Sequence, residues 1–72
     1  MEPQPQPLAS LRKHNLLSQR DLARAAGVAL STVYLIEAGK TERITFKVMR
    51  SISDVLGVPP ASVAEFRRTL ES

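Results

Sequence analysis

His14 is the only imidazole in the chain and there is no cysteine, which removes thiol chemistry, disulfides and any multi-histidine metal site and leaves the redox compartment open. No nucleophile stands with a base, no pair of carboxylates falls in a pocket-forming pattern, and no glycine-rich phosphate loop can be assembled. The chain therefore reads as a non-enzyme, with no metal, no cofactor and no small-molecule substrate implied. What remains is charge. Arg12, Lys13, Arg20, Arg24, Lys40, Arg43, Lys47 and Arg50 stand against Asp21, Glu37 and Glu42 between positions 12 and 50, a balance of +5 in a chain whose net charge is +3. Residues 51 to 72 carry Arg67 and Arg68 against Asp54, Glu65 and Glu71, a balance of −1. A cationic half of this size neutralises a few phosphates and gives salt-dependent affinity, although an excess of five is also common on proteins that bind no nucleic acid. His14, beside Lys13, reads as a surface or cap residue.

The elements that must position those charges are short helices. In QRDLARAAGVALSTVYLIE, Gln19 to Glu37, Leu22, Ala23 and Ala26 line one face of a 3.6-residue period, and Val33, Ile36 and Glu37 line another. Gly27 stands where the first of these helices must stop, because glycine accepts positive φ without steric cost, and Val28 turns back as an apolar plug. Ser18 is a good N-cap, with Asp21 three residues on to reciprocate. Two helices joined by so short a turn cross steeply and touch near Ala23, where a larger residue would push them apart; the outer face of the second is left free to enter a major groove.

The whole chain, 72 residues, makes one domain that buries only about 60% of its unfolded surface. Met1 to Pro7, MEPQPQP, alternates proline with polar residues, so residues 1–6 read as a flexible Pro/Gln tail and residues 7–72 as the folded domain. Pro7 suits the first position of a helix running to about His14 or Asn15, buried through Leu8, Leu11 and Ala9. After the central pair, Ala38 to Ile44 is a polar loop. Thr45 caps a fourth helix, Phe46 to Leu56, whose inward residues are expected to be Phe46, Met49, Ile52, Ser53 and Leu56. Gly57 ends it. Pro59-Pro60 forces a sharp turn, and a fifth helix is expected from about Pro60, or from Ser62 with Glu65 completing a capping box. No apolar run reaches membrane length and the N-terminus lacks the basic and apolar regions of a signal peptide, so a cytoplasmic location without membrane contact is expected.

Together LSQRDLARAAGV, STVYLIEAGK and ITFKVMRSISDVLGV, with Arg12, the Glu-x-Gly at Glu37 to Gly39 and the closing Leu56 to Val58, resemble the helix-turn-helix domain of the phage repressor and Cro group, the XRE family. The resemblance implies an all-α, lambda-repressor-like bundle of about five short helices with helices 2 and 3 as the helix-turn-helix. It implies a sequence-specific DNA-binding transcriptional regulator, repressor-like, with double-stranded DNA as partner. Matching positions make Gln19 a phosphate contact at the start of the second helix and Lys40 and Arg43 the basic loop after the third; Arg20 and Lys47 join them as phosphate-binding candidates. In such repressors the residues matching Arg12 and Glu37 form a partly buried structural ion pair.

The third helix departs from its relatives. Helical geometry puts Ser31, Tyr34, Leu35 and Ala38 on its outer face with Leu30 at the leading end, and none is a bidentate base reader. The expected readers are Leu30 and Leu35, packing on the C5-methyl of thymine, with Ser31 and Thr32 able to bond several bases and Tyr34 a base or a phosphate. The same apolar face supports a second reading, a protein-docking module of antitoxin type or a regulator subunit. Val63, Phe66 and Leu70 fall at i, i+3 and i+7 on the fifth helix and are the expected interface of a homodimer, since one short helix is not expected to bury all three in so small a monomer.

Overall fold

The computed structural model describes residues 4–41 and 44–71. Within them the chain folds as α1 Leu8–His14, α2 Gln19–Ala26, α3 Leu30–Glu37 and α4 Phe46–Leu56, then a 3-10 turn Pro60–Ser62, then α5 Ala64–Glu71. The architecture is the all-α, five-helix, lambda-repressor-like globule expected. α2 packs against both α3 and α4, because Leu22 and Ala23 on its inner stripe meet Val33 and Ile36 of α3 and Met49, Ile52 and Leu56 of α4 in one core, closed by Leu8 and Phe66.

Local signals start and stop the helices. Ser18 Oγ accepts the Asp21 N–H at 3.0 Å and Asp21 Oδ2 accepts the Ser18 N–H at 3.1 Å, a reciprocal capping box. The carboxyl of Asp21 is held below its ordinary range by the hydrogen bonds it shares with Ser18. Gly27 takes φ 70 at the end of α2, and the Val28 N–H reaches back to the Ala23 carbonyl. The end of α1 uses the same motif with the wrong residue. Leu16 N–H bonds to Lys13 O and Leu17 N–H to Arg12 O, which places Leu16 at φ 58 and leaves the residue 91% exposed; a non-glycine residue there costs about 1–2 kcal/mol. Thr45 Oγ1 caps α4 by accepting the Val48 N–H, whereas Ala29 leaves α3 without a side-chain cap.

Four expectations are corrected. Pro7 is the N-cap of α1 rather than its first helical residue, with ψ 146. Gln6 is not a free tail residue: its N–H donates to Ser62 O at 2.9 Å and its carbonyl accepts the Ala64 N–H at 2.8 Å, while the rest of that expectation falls partly on Met1 to Pro3, outside the described residues. Phe46 is 69% exposed, because it extends the inward stripe of α4 one turn beyond the helices that cover Met49, Ile52, Ser53 and Leu56. The Ser62–Glu65 capping box does not form; α5 starts at Ala64, and Glu65 Oε1 instead accepts the N–H of Leu8 at 2.8 Å, capping α1 from across the fold.

The expected α5 dimer interface is also overturned for two of its three residues. Val63 and Phe66 are both 0% exposed within the monomer, because α5 lies over the start of α1 and turns those side chains into the shared core. Burying each stabilises the monomer by about 1.5–3 kcal/mol. Leu70 alone stays exposed.

Candidate nucleic-acid interface

The inner side of α3 is fixed before its outer side can be used. Val33 and Ile36 are buried against α2, and the C-terminal end is held by a carboxylate. Arg12 Nε donates to Glu37 Oε2 at 2.7 Å, Arg12 Nη2 donates to Glu37 Oε1 at 3.2 Å, and the two side chains are only 11% and 9% exposed. This is the ion pair anticipated between the first and third helices. Its geometry is bidentate, the arrangement in which guanidinium and carboxylate gain most. Arg12 Nη1 also donates to Leu17 O at 2.8 Å, so one guanidinium joins the α1–α2 turn to the end of α3.

Gln19 belongs to this network. Its Nε2 donates to Glu37 Oε1 at 3.0 Å, across 18 residues of sequence that no helical spacing relates. Burial by itself pushes the Glu37 carboxyl up, but the hydrogen bonds from Arg12 and Gln19, with the charges of Arg12 and Lys13, together outweigh it and hold the group below its ordinary value of 4.5. Glu37 is thus an inward-facing, neutralised anion, and the network locks the N-terminus of α2 to the C-terminus of α3.

The outer side of α3 presents the residues expected there. Leu30, Ser31, Tyr34, Leu35 and Ala38 are exposed and Thr32 is half-buried on the flank that faces α4. Arg20 at the start of α2, Lys40 after α3 and Lys47 in the first turn of α4 are exposed as well. Arg43 lies outside the described residues. Lys40 is placed by its own backbone: Gly39 at φ 68 lets the Lys40 N–H return to Leu35 O at 3.0 Å. At eight residues, α3 is about 12 Å long, close to the width of the B-DNA major groove.

A helix-turn-helix family model matches residues 8–63, from the start of α1 to the residue before α5. The chain belongs to this family. Membership carries sequence-specific DNA binding, in transcriptional regulation, and makes the domain non-enzymatic. No match was found among curated proteins. In this helix-turn-helix domain no helix of the described residues is long and apolar enough to cross a membrane.

Proposed function

We propose that the protein is a repressor-like transcriptional regulator that lays α3 in the major groove of its site and binds as a homodimer across two half-sites. The observation that supports this most directly is the two-sidedness of α3. Its inner side is pinned by Val33, Ile36 and the Arg12–Glu37–Gln19 network, while its outer side is exposed and flanked by the cations Arg20, Lys40 and Lys47. In this reading those cations, with Arg43, contact phosphate and set the register without reading sequence. Gln19 contributes its second amide N–H, the first being held by Glu37, alongside backbone N–H groups at the start of α2.

Base reading falls to Leu30, Ser31, Thr32, Tyr34 and Leu35. With no bidentate reader in the set, discrimination is modest, about 1 kcal/mol or less for an apolar contact against about 1–3 kcal/mol for a good bidentate pair, and DNA shape supplies part of the preference. A second reading, docking of a protein on α3, is supported by the exposure of Leu30, Tyr34 and Leu35 on one face. Gel shift with random duplex at several salt concentrations separates the two: groove binding requires affinity that falls steeply with salt, whereas a docking module shows no more than any weakly basic protein. Selection of bound duplexes from a random pool then gives the site.

A further inference from the structure

The turn between α1 and α2 carries Leu16 at φ 58, and the residue is 91% exposed. Left-handed φ at a non-glycine residue and a leucine given over to water are separate costs at one position, and at that exposure no packing within the chain offsets them. Strained residues of this kind gather where a protein binds something else. We propose that Leu16 packs on a deoxyribose of the DNA backbone, beside the phosphate that the start of α2 contacts. The inference rests on the DNA-binding reading above and adds to it an apolar anchor outside α3.

Position and surroundings single out this occupant. The Leu16 N–H is turned back on Lys13 O, and Leu17 O accepts from Arg12 Nη1 at 2.8 Å, so the turn is held on both sides of Leu16. Gln19, three residues on, is the first residue of α2, which keeps the two Cα atoms within about 11 Å. A phosphate met by Gln19 therefore brings its adjoining sugars close to the turn. The charge fits as well. From 12 to 24 the cations Arg12, Lys13, Arg20 and Arg24 stand against one acid, Asp21, whose Oδ2 is engaged by the Ser18 N–H. Among the described residues from 4 to 29, Leu16 is the one large apolar residue left exposed. Protein interfaces gather apolar side chains at the centre and leave charge to the rim; one leucine among cations is the reverse pattern. It suits a polymer that alternates anionic phosphate with the C–H edge of a sugar. Every nucleotide carries that sugar and the contact neutralises no charge, so it adds affinity without reading sequence and without adding to the salt dependence. Neither a base reader nor a phosphate-binding cation has that signature.

The test titrates the full chain and three variants with a selected duplex and with random duplex, at several salt concentrations, and melts each protein alone. Leu16→Ala removes the side chain and keeps the strain; it should weaken binding about fivefold for each bound copy, the effect of withholding roughly half a leucine from burial, with little change in melting temperature. Leu16→Gly should lose the same factor yet melt about 4 °C higher, because relief of the left-handed strain exceeds the added chain entropy of glycine. Leu16→Met keeps the apolar reach and should retain binding. In all three the slope of log K against log salt and the ranking of duplexes should match the native chain. Unchanged affinity in the Ala and Gly variants would overturn the proposal, and so would a loss that alters the ranking or the slope. A Gly variant that melts no higher would overturn it too, since Leu16 would then be packed within its own chain. Absence of salt-dependent duplex binding by the native chain would overturn the DNA reading itself, a different result.

Discussion

Glu37 and Ser53 show how much a single polar group matters in a core this small. Glu37 has three donated hydrogen bonds from Arg12 and Gln19 and a side chain 9% exposed, so removing it strands the guanidinium of Arg12 in a largely dry site. Glu37→Ala is expected to lose about 3–5 kcal/mol in chemical denaturation, whereas an exposed pair would lose at most about 1 kcal/mol. Because the folded carboxyl titrates below its ordinary 4.5, its contribution is fully present above about pH 4.5 and is lost as the pH falls through the lower folded value. Glu37→Gln should therefore flatten the acid limb of the stability profile relative to the native chain. Ser53 is the opposite case. Among the described residues its buried hydroxyl on α4 has no hydrogen-bond partner, a condition that costs about 1–3 kcal/mol. Ser53→Ala should raise stability by about 1 kcal/mol, and a urea midpoint that falls would show that the hydroxyl has a partner after all.

At the scale of elements, the tie between the two ends of the chain is the feature with the clearest experimental handle. Glu65 on α5 accepts the Leu8 N–H 57 residues away, and Gln6 pairs with Ser62 and Ala64 on either side of Val63. Glu65→Ala should cost about 1–3 kcal/mol by leaving the N–H of buried Leu8 unsatisfied, while Glu65→Gln, which keeps an acceptor, should recover most of it in the same thermal melt. This tie also marks where the sequence stops being legible. Ser18 with Asp21, Gly27, Thr45 and Gly57 are local signals, since each cap acts within a few residues, and the helices start or end where they indicate. The Arg12–Glu37 pair was readable only through the family resemblance. Glu65 has a local partner available in Ser62 and takes a distant one, and no periodicity distinguishes a helix face buried in its own monomer, as at Val63 and Phe66, from one buried in a partner. Phe46 failed in the converse way, because a stripe in the sequence does not tell how far the neighbouring helices extend along it.

For the molecule as a whole, the enclosure of Val63 and Phe66 changes what dimerisation can look like. Outside α3 the large apolar residues left exposed among the described ones are Leu16, Phe46 and Leu70, on three separate segments, whereas stable interfaces bury about 800 Å² per partner around an apolar centre. The isolated chain is therefore expected to be a monomer at micromolar concentration, with the two copies brought together by adjacent half-sites on one duplex. Salt reads this out. Each phosphate neutralised contributes about −0.9 to the slope of log K against log salt concentration. One copy using Arg20, Lys40, Arg43 and Lys47 gives a slope near −3.5, and two copies acting together give one near −7. Lys47→Ala should reduce the slope by about 1 for each copy and weaken all duplexes alike, leaving the ranking of sequences unchanged. Sedimentation of the complex should give two chains per duplex. A slope near −3.5 with one chain per duplex would mean that the domain reads a single half-site, and the twofold assembly would have to be abandoned.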